Sequence, residues 1–211
     1  METIAPYVPG LLLVYSAFLL AVMSPGPGVL ALMGTSMHSG RKAGVCFAVG
    51  IVLGSITWGT LTVAGLSVVM AKFGYLLFLI KIFGGCYLLW MACKAFRSAT
   101  TRQELAARVA PASLKPRQLI LRGYLVMLTN PKAIFSWIAI VSLGIQNNAP
   151  WWLGVVLVSG TTTLSFLVNM SYALLFSTSV MLRAYARARR SIQAVLGTFF
   201  AFAGVKMITS A

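Results

Sequence analysis

Six long apolar runs are the feature of this sequence that most constrains its fold. Polar segments separate the runs, which lie near residues 9–33, 44–70, 73–92, 122–145, 151–179 and 191–209. A helix that crosses a bilayer needs about 20 mainly apolar residues, so each run has the length of a span. Of the 211 residues 59% are hydrophobic and only 9% are charged, which is outside the range of soluble domains. We therefore predict an all-α polytopic membrane protein, with six transmembrane helices in the lipid bilayer.

The basic residues are distributed unevenly along the chain. Thirteen of the 17 lysines and arginines fall in three alternate connections, at 34–43, 93–122 and 180–190. Cytoplasmic loops of membrane proteins carry an excess of Lys and Arg. These connections are therefore predicted to face the cytoplasm, and both chain termini to lie on the opposite side. Most of the residues behind the net charge of +15 lie in these connections, where membrane topology explains them. We therefore expect no nucleic-acid partner.

This topology divides the chain into two halves of three helices. Residues 1–92 form the first half, a basic cytoplasmic loop covers 93–121, and residues 122–211 form the second half. An odd number of spans makes the halves insert in opposite directions, so the predicted architecture is an inverted 3+3 repeat. Weak similarity between residues 85–94 and 197–206 agrees with it.

The first and fourth helices each contain a segment that disrupts helical structure, Ser-Pro-Gly-Pro-Gly at 24–28 and Thr-Asn-Pro-Lys at 129–132. Proline has no backbone N–H and clashes with the preceding turn, so both helices are predicted to be broken within the membrane. Membrane helices also tolerate proline without function, but paired breaks in two halves point to a substrate site near the midplane. The candidate site residues here are Pro25, Gly26, Pro27, Gly28, Asn130, Pro131 and Lys132.

Two lysines, Lys81 and Lys132, lie deep inside apolar runs, roughly 13–15 Å from the nearest helix end at 1.5 Å per residue. A lysine at such depth needs a partner, yet the two carboxylates of the chain, Glu2 and Glu104, lie outside the apolar runs. The partner is either a set of backbone carbonyl oxygens at the helix breaks or the carboxylate of a bound ligand. Both lysines are candidate substrate-binding residues.

Polar side chains form stripes on the second and fifth helices. Trp58 belongs to the first stripe, and Thr162, Ser165, Asn169 and Tyr172 recur at helical spacing in the second. Such a stripe either lines a path for a polar solute or joins two helices through hydrogen bonds. We treat these five residues as candidates for a translocation path.

Enzymatic and metal-dependent functions find little support in the apolar runs, which contain no His, Asp or Glu. An intramembrane enzyme would need a nucleophile with a base, paired carboxylates or a metal cluster. The three cysteines show no CxxC spacing, which is typical of packing residues. We therefore predict a protein that is not an enzyme and has no cofactor and no metal site.

Several motifs together resemble the LysE/RhtB family of amino-acid exporters. They extend over nearly the whole chain, at 23–28, 40–44, 50–54, 81–88, 94–97, 122–124 and 130–134. The Ser-Pro-Gly-Pro form is more similar to the homoserine/threonine branch than to the lysine/arginine branch. The chain departs from the family at Gly28, where Asn or Asp is usual.

The resemblance implies proton-driven efflux of amino acids or close derivatives, small neutral ones for this branch, across the bacterial inner membrane. The proline motifs would lie near the translocation path and both termini in the periplasm. A homodimer is compatible with this interpretation. Two other functions compete with it, a metal-cation exporter of a related family and a non-transporting membrane scaffold. Cations would prefer carboxylate, thiolate or imidazole ligands, and midplane lysines would repel them.

Proton coupling raises a separate question, because membrane proton carriers are commonly Asp, Glu or His. The apolar runs supply none of these. Burial in an apolar medium favours the neutral form of a lysine, so a lysine that gains and loses a proton is the remaining candidate. We expect Lys132 to take this role ahead of Lys81, because it adjoins a helix break.

Overall fold

The computed structural model describes residues 4–24, 26–72, 74–100, 114–144 and 150–209, and its regular elements there are helices. Intrahelical bonding satisfies the backbone polar groups of a helix except at its ends, which suits an apolar chain in a bilayer. A 3₁₀ turn at Ala5–Tyr7 precedes seven α-helices: α1 (Val8–Met23), α2 (Pro27–Lys72), α3 (Gly74–Thr100), α4 (Pro116–Leu128), α5 (Pro131–Gly144), α6 (Trp151–Leu175) and α7 (Ser179–Thr209).

Several of these helices have the length and composition of membrane spans. In the described part of the chain, four segments qualify: Ala5–Met23, Pro27–Gly65, Trp151–Leu175 and Arg190–Thr209. The bent pair α4 and α5, whose axes differ by 61°, adds a fifth if the pair is one broken span. The predicted all-α membrane class is therefore confirmed. The count of six spans and the inverted repeat stay predictions.

Both expected helix breaks are present at the proline motifs. α1 ends at Met23 and α2 begins at Pro27, while α4 ends at Leu128 and α5 begins at Pro131. Ser24 is extended, with ψ of 127°, because the residue before a proline is driven out of the α region. Each break is therefore encoded locally.

The polar connections contain more helix than the sequence indicated. The segment at 34–43 is helical on both sides of Gly40, whose φ of 80° interrupts α2. Since Lys and Arg are good helix formers, charge alone does not end a helix. α3 accordingly continues to Thr100 and α4 begins at Pro116. The rest of the expected loop, residues 101–113, lies outside the described residues.

A buried core joins α1, α3, α5, α6 and α7. It includes Val14, Leu88, Ile140, Leu157 and Phe200, all of them fully or almost fully buried. A smaller core joins α2 to α6 and contains Leu32, Phe47 and Ala173 among its residues. The main core brings the end of α1 against the start of α5, where both helices are broken.

Glycines let α2 and α4 approach backbone to backbone. A Cβ on Gly50 would collide with the carbonyl oxygen of Ile120, and a Cβ on Gly123 would collide with that of Phe47. The contact is thus made from both sides by residues without a side chain, as in small-residue interfaces of membrane helices. It fixes α4, and with it the second break, against α2.

Candidate functional site

A cavity lies where the two helix breaks come together. The centre of a water molecule can reach about 70 Å³ of it, several times what one water needs. Polar residues of both breaks and of α6 line one part, and apolar side chains line the rest. The described lining residues are Phe18, Ala21, Val22, Ser24, Gly26, Gly28, Val29, Ile51, Met127, Asn130, Lys132, Ala133, Ser136, Trp137, Ile140, Ser165 and Asn169.

Side chains from α5 and α6 bind the carbonyl oxygens at the end of α1. Lys132 Nζ donates to Ala21 O at 3.1 Å and to Ser24 O at 2.8 Å. The Tyr172 hydroxyl donates to Met23 O at 3.1 Å. The last carbonyls of a helix have no intrahelical partner and carry partial negative charge, which favours a cation there. The break is therefore stabilised by tertiary contacts with the second half of the chain.

Asn130 organises the second break. Its Oδ1 accepts a hydrogen bond from the Lys132 backbone N–H at 3.1 Å, and its carbonyl oxygen accepts one from Ala133 N at 2.9 Å. This is the geometry of a helix N-cap, and Pro131 at the first helical position needs no N–H partner. The sequence Asn-Pro-Lys thus starts α5 and directs Lys132 back towards α1.

The two described glycines of the first motif have different surroundings. A Cβ on Gly26 would lie 3.1 Å from Lys132 Cδ and 3.4 Å from Nζ, so the lysine chain passes directly over this residue. A Cβ on Gly28 would come no closer than 4.0 Å to Asn130 Nδ2 or Val126 Cγ1. Gly26 therefore makes room for Lys132, whereas Gly28 leaves the cavity wider than a larger residue would.

α6 presents a buried row with a spacing of four residues, which consists of Leu153, Leu157, Thr161, Ser165, Asn169 and Ala173. Within it, Asn169 Nδ2 donates to Ser165 O at 2.8 Å and lies 3.3 Å from Ser165 Oγ. Thr161 occupies the place in this row that the sequence assigned to Thr162. The difference is one position around the helix, or about 100°. Only the middle of the expected stripe reaches the cavity.

The cavity brings together many of the candidate residues from the sequence, namely Gly26, Gly28, Asn130, Lys132, Ser165 and Asn169. Others are not among its described lining residues. Tyr172 instead binds the end of α1, Trp58 packs against the main core, and the remaining ones are Pro27, Lys81 and Thr162. Pro25 and the side chain of Pro131 lie outside the described part of the chain.

Some lining residues gave no functional signal in the sequence. Phe18 and Trp137, whose ring centroids are 4.9 Å apart, are aromatic residues inside apolar runs and resemble ordinary core. Ser136 follows Lys132 by four residues on α5, so helical spacing would have placed both on one face. Its hydroxyl lies 3.5 Å from Met91 Sδ.

The chemistry of the cavity suits a small molecule with one charged end and one apolar end. Among its described lining residues, Lys132 is the ionisable one. A lysine ammonium has three N–H donors, and two are bonded to α1 carbonyls, which leaves one for an acceptor in the cavity. Phe18, Trp137 and Ile140 offer an apolar surface nearby.

Comparisons with known proteins identify relatives over most of the chain. The threonine efflux proteins of Salmonella typhi and Escherichia coli (strain K12) are 32% and 30% identical to it, and each alignment covers 91% of this chain and 94% of the relative. The leucine efflux protein of Enterobacter sp. (strain 638) is 27% identical, over 81% of this chain and 80% of that protein. No solved structure matches the chain. The model of the family described as LysE type translocator matches residues 19–211. This chain is therefore a multi-pass membrane protein that belongs to the LysE family of translocators.

Proposed function

We propose that this protein exports amino acids or close derivatives, small neutral ones, by proton antiport across the bacterial inner membrane. The observation that carries the proposal is the position of Lys132. It lies partly buried beside the paired helix breaks, and its ammonium contacts both the end of α1 and the cavity. A carboxylate that enters the cavity meets this donor.

The relatives support an amino-acid substrate. Their names assign threonine to some and leucine to another. These two amino acids differ in the side chain and share the carboxylate and the ammonium group. A site that serves both must therefore recognise the shared charged groups, and the polar part of the cavity has the chemistry to do so.

Each part of a zwitterion has a partner in this proposal. The carboxylate accepts hydrogen bonds from Lys132 Nζ and the Asn130 amide. The ammonium group binds the carbonyl oxygens at the end of α1, where helix polarity favours a cation. The amino-acid side chain packs against Phe18, Trp137 and Ile140, which limits its size.

Competition for the α1 carbonyls would couple transport to protons. Ala21 O and Ser24 O accept hydrogen bonds from Lys132, and the substrate ammonium seeks the same oxygens. When the substrate ammonium takes them, Lys132 loses two partners of its charged form, whereas the substrate carboxylate favours that form. Proton release on substrate binding therefore requires that the loss of the carbonyl partners and the positive charge of the substrate outweigh the carboxylate. The neutral amine still donates to the carboxylate. After the substrate leaves, Lys132 regains a proton and returns to α1.

Threonine counterflow in proteoliposomes tests the exporter proposal. Vesicles that contain the protein and unlabelled threonine should take up labelled threonine faster than protein-free vesicles, and excess leucine should compete. A non-transporting scaffold gives equal uptake in both preparations, so that result would refute transport. A metal-cation exporter is disfavoured by the lysine in the cavity, and divalent cations should not inhibit the exchange.

Proton coupling is tested with an imposed pH gradient alone. An antiporter accumulates threonine in the acidic compartment, so acid-loaded vesicles with the wild-type protein should concentrate it. Lys132→Gln should abolish this accumulation, and Lys81→Gln serves as the comparison. If both variants still accumulate threonine under the gradient, neither lysine carries the proton.

A further inference from the structure

Three buried hydrogen-bond donors, on Trp137 of the cavity wall and on the part of α2 that packs against it, have no acceptor. They are Ser55 Oγ, Trp58 Nε1 and Trp137 Nε1, and each of these atoms is buried without a hydrogen-bond partner in the described structure. Ser55 and Trp137 are only 1% and 3% exposed. We refer to these three residues as the donor cluster.

The members of the donor cluster are neighbours. Ser55 and Trp58 lie one turn apart on α2, and Gly59 follows on the same face. A Cβ on Gly59 would lie 2.9 Å from Cη2 of Trp137, so the indole ring rests directly on α2. Trp137 also lines the cavity, so the donor cluster reaches the cavity wall through this residue.

Nothing local accounts for these unpaired donors. Three other hydroxyls of α2, on Thr35, Ser36 and Thr57, bond to a carbonyl of the preceding turn, whereas those of Ser55 and Ser39 do not. An indole N–H is a donor only and cannot satisfy itself within a helix. Buried donors without partners are rare in native structures and call for an explanation such as a ligand.

We propose that the donor cluster is a second subsite for the carboxylate of the transported solute. A cluster of donors selects an acceptor, and an ionised carboxylate is acceptor-only. Trp137 follows Lys132 by five residues, or about 7.5 Å along α5, so a carboxylate released by Lys132 finds this cluster by a short movement past Trp137. The inference rests on the proposed export of amino acids.

Fluorine NMR of protein labelled with 5-fluorotryptophan, in nanodiscs, tests the subsite directly. Single Trp→Phe variants assign the signals. Threonine should shift the signals of Trp58 and Trp137, whereas threoninol, which lacks the carboxylate, should leave them in place. The exposed Trp90 is the internal control and should not respond. Unchanged Trp58 and Trp137 signals with threonine, or equal shifts with threoninol, would overturn the subsite.

Threonine flux through proteoliposomes that contain the same protein separates this inference from the exporter proposal. If threonine flux is present but the tryptophan signals do not shift, the exporter proposal stands and the subsite is refuted. If the tryptophan signals shift but no flux is measured, the carboxylate site stands and the exporter proposal is refuted. If flux and shifts are both missing, both ideas are wrong.

Kinetics provide a second, independent test. Trp137→Phe keeps an aromatic ring but removes the donor, and should raise the threonine concentration for half-maximal counterflow about tenfold to a hundredfold. Ser55→Ala removes only a hydroxyl and should act in the same direction without repacking a ring. Trp90→Phe should behave as wild type. Unchanged half-maximal concentrations for both donor-cluster variants would contradict the proposal.

Discussion

At the scale of single residues, the position of Lys132 depends on its neighbours. Asn130 caps α5 and fixes the backbone of the lysine, Gly26 leaves room for its side chain, and Ala21 and Ser24 accept its hydrogen bonds. Burying an unpaired ammonium would be very unfavourable, so these contacts explain how the lysine is tolerated. They also hold it at the cavity.

A comparison of alanine variants tests this dependence. Gly26→Ala should displace the Lys132 side chain, because the new methyl group would lie 3.1 Å from Cδ, and threonine export should fall several-fold. Gly28→Ala meets nothing closer than 4.0 Å and should leave threonine export near normal. Both variants should keep the unfolding temperature within a few degrees. Equal export by the two would show that Lys132 does not need this space.

Polar residues of the site were easier to predict than apolar ones. Asn130 and Lys132 stand out because a cap, a proline and a deep charge are unusual inside an apolar run. Trp137 does not stand out, because an aromatic residue in an apolar run looks the same in the sequence whether it packs in the core or contacts a ligand. Tyr172 was marked by its place in the polar stripe. Its hydrogen bond to Met23 O, however, depends on how α6 crosses α1, which spacing along the chain does not specify.

At the scale of elements, local chemistry predicted the two helix breaks at the prolines, but it overestimated the connection at 34–43, which is reduced to a bend inside α2. The breaks follow from proline, whose effect is nearly independent of context. The bend occurs at Gly40, with φ of 80°, and glycine within a helix does not by itself require a bend. Helical continuation to Thr100 was likewise missed, because basic residues tolerate both helix and loop.

The α2–α4 contact allows a sharp stability prediction. Gly50→Ala would place a methyl group against the carbonyl oxygen of Ile120. Neither group can rotate away, because both are attached directly to the backbone, so the helices must separate. We expect a loss of about 1–3 kcal/mol in the free energy of unfolding. Gly65→Ala is the control, because a Cβ there meets nothing within 4 Å, and better helix propensity should make it neutral or slightly stabilising.

Thermal unfolding in nanodiscs measures both variants. A Gly50→Ala protein as stable as wild type would show that α2 and α4 do not pack backbone to backbone.

At the scale of the whole molecule, composition predicts membrane insertion, and the distribution of lysines and arginines predicts orientation. Neither determines how the helices assemble. α3 packs extensively against α7 and α2 against α4, and these pairings depend on close packing, in which glycines admit a neighbouring helix, rather than on hydropathy. The first break connects this assembly to the proposed transport, because Lys132 and Tyr172 from the second half of the chain bind the carbonyl oxygens at the end of α1.

Reporter fusions test the orientation. A fusion after Ala211 should report the periplasm, and one within residues 101–113 should report the cytoplasm, because the basic residues there favour the inner side. The same compartment for both fusions would refute the topology.

Threonine efflux from proteoliposomes, with Lys132→Gln compared against Lys206→Gln, tests the central claim most directly. Lys206 is an exposed lysine of α7 and controls for the loss of one positive charge. The account predicts at least a tenfold loss of efflux for Lys132→Gln, corresponding to about 1.4 kcal/mol, and near-normal efflux for Lys206→Gln at equal levels of folded protein. Equal efflux by the wild type and Lys132→Gln would contradict a role for this lysine in holding the substrate.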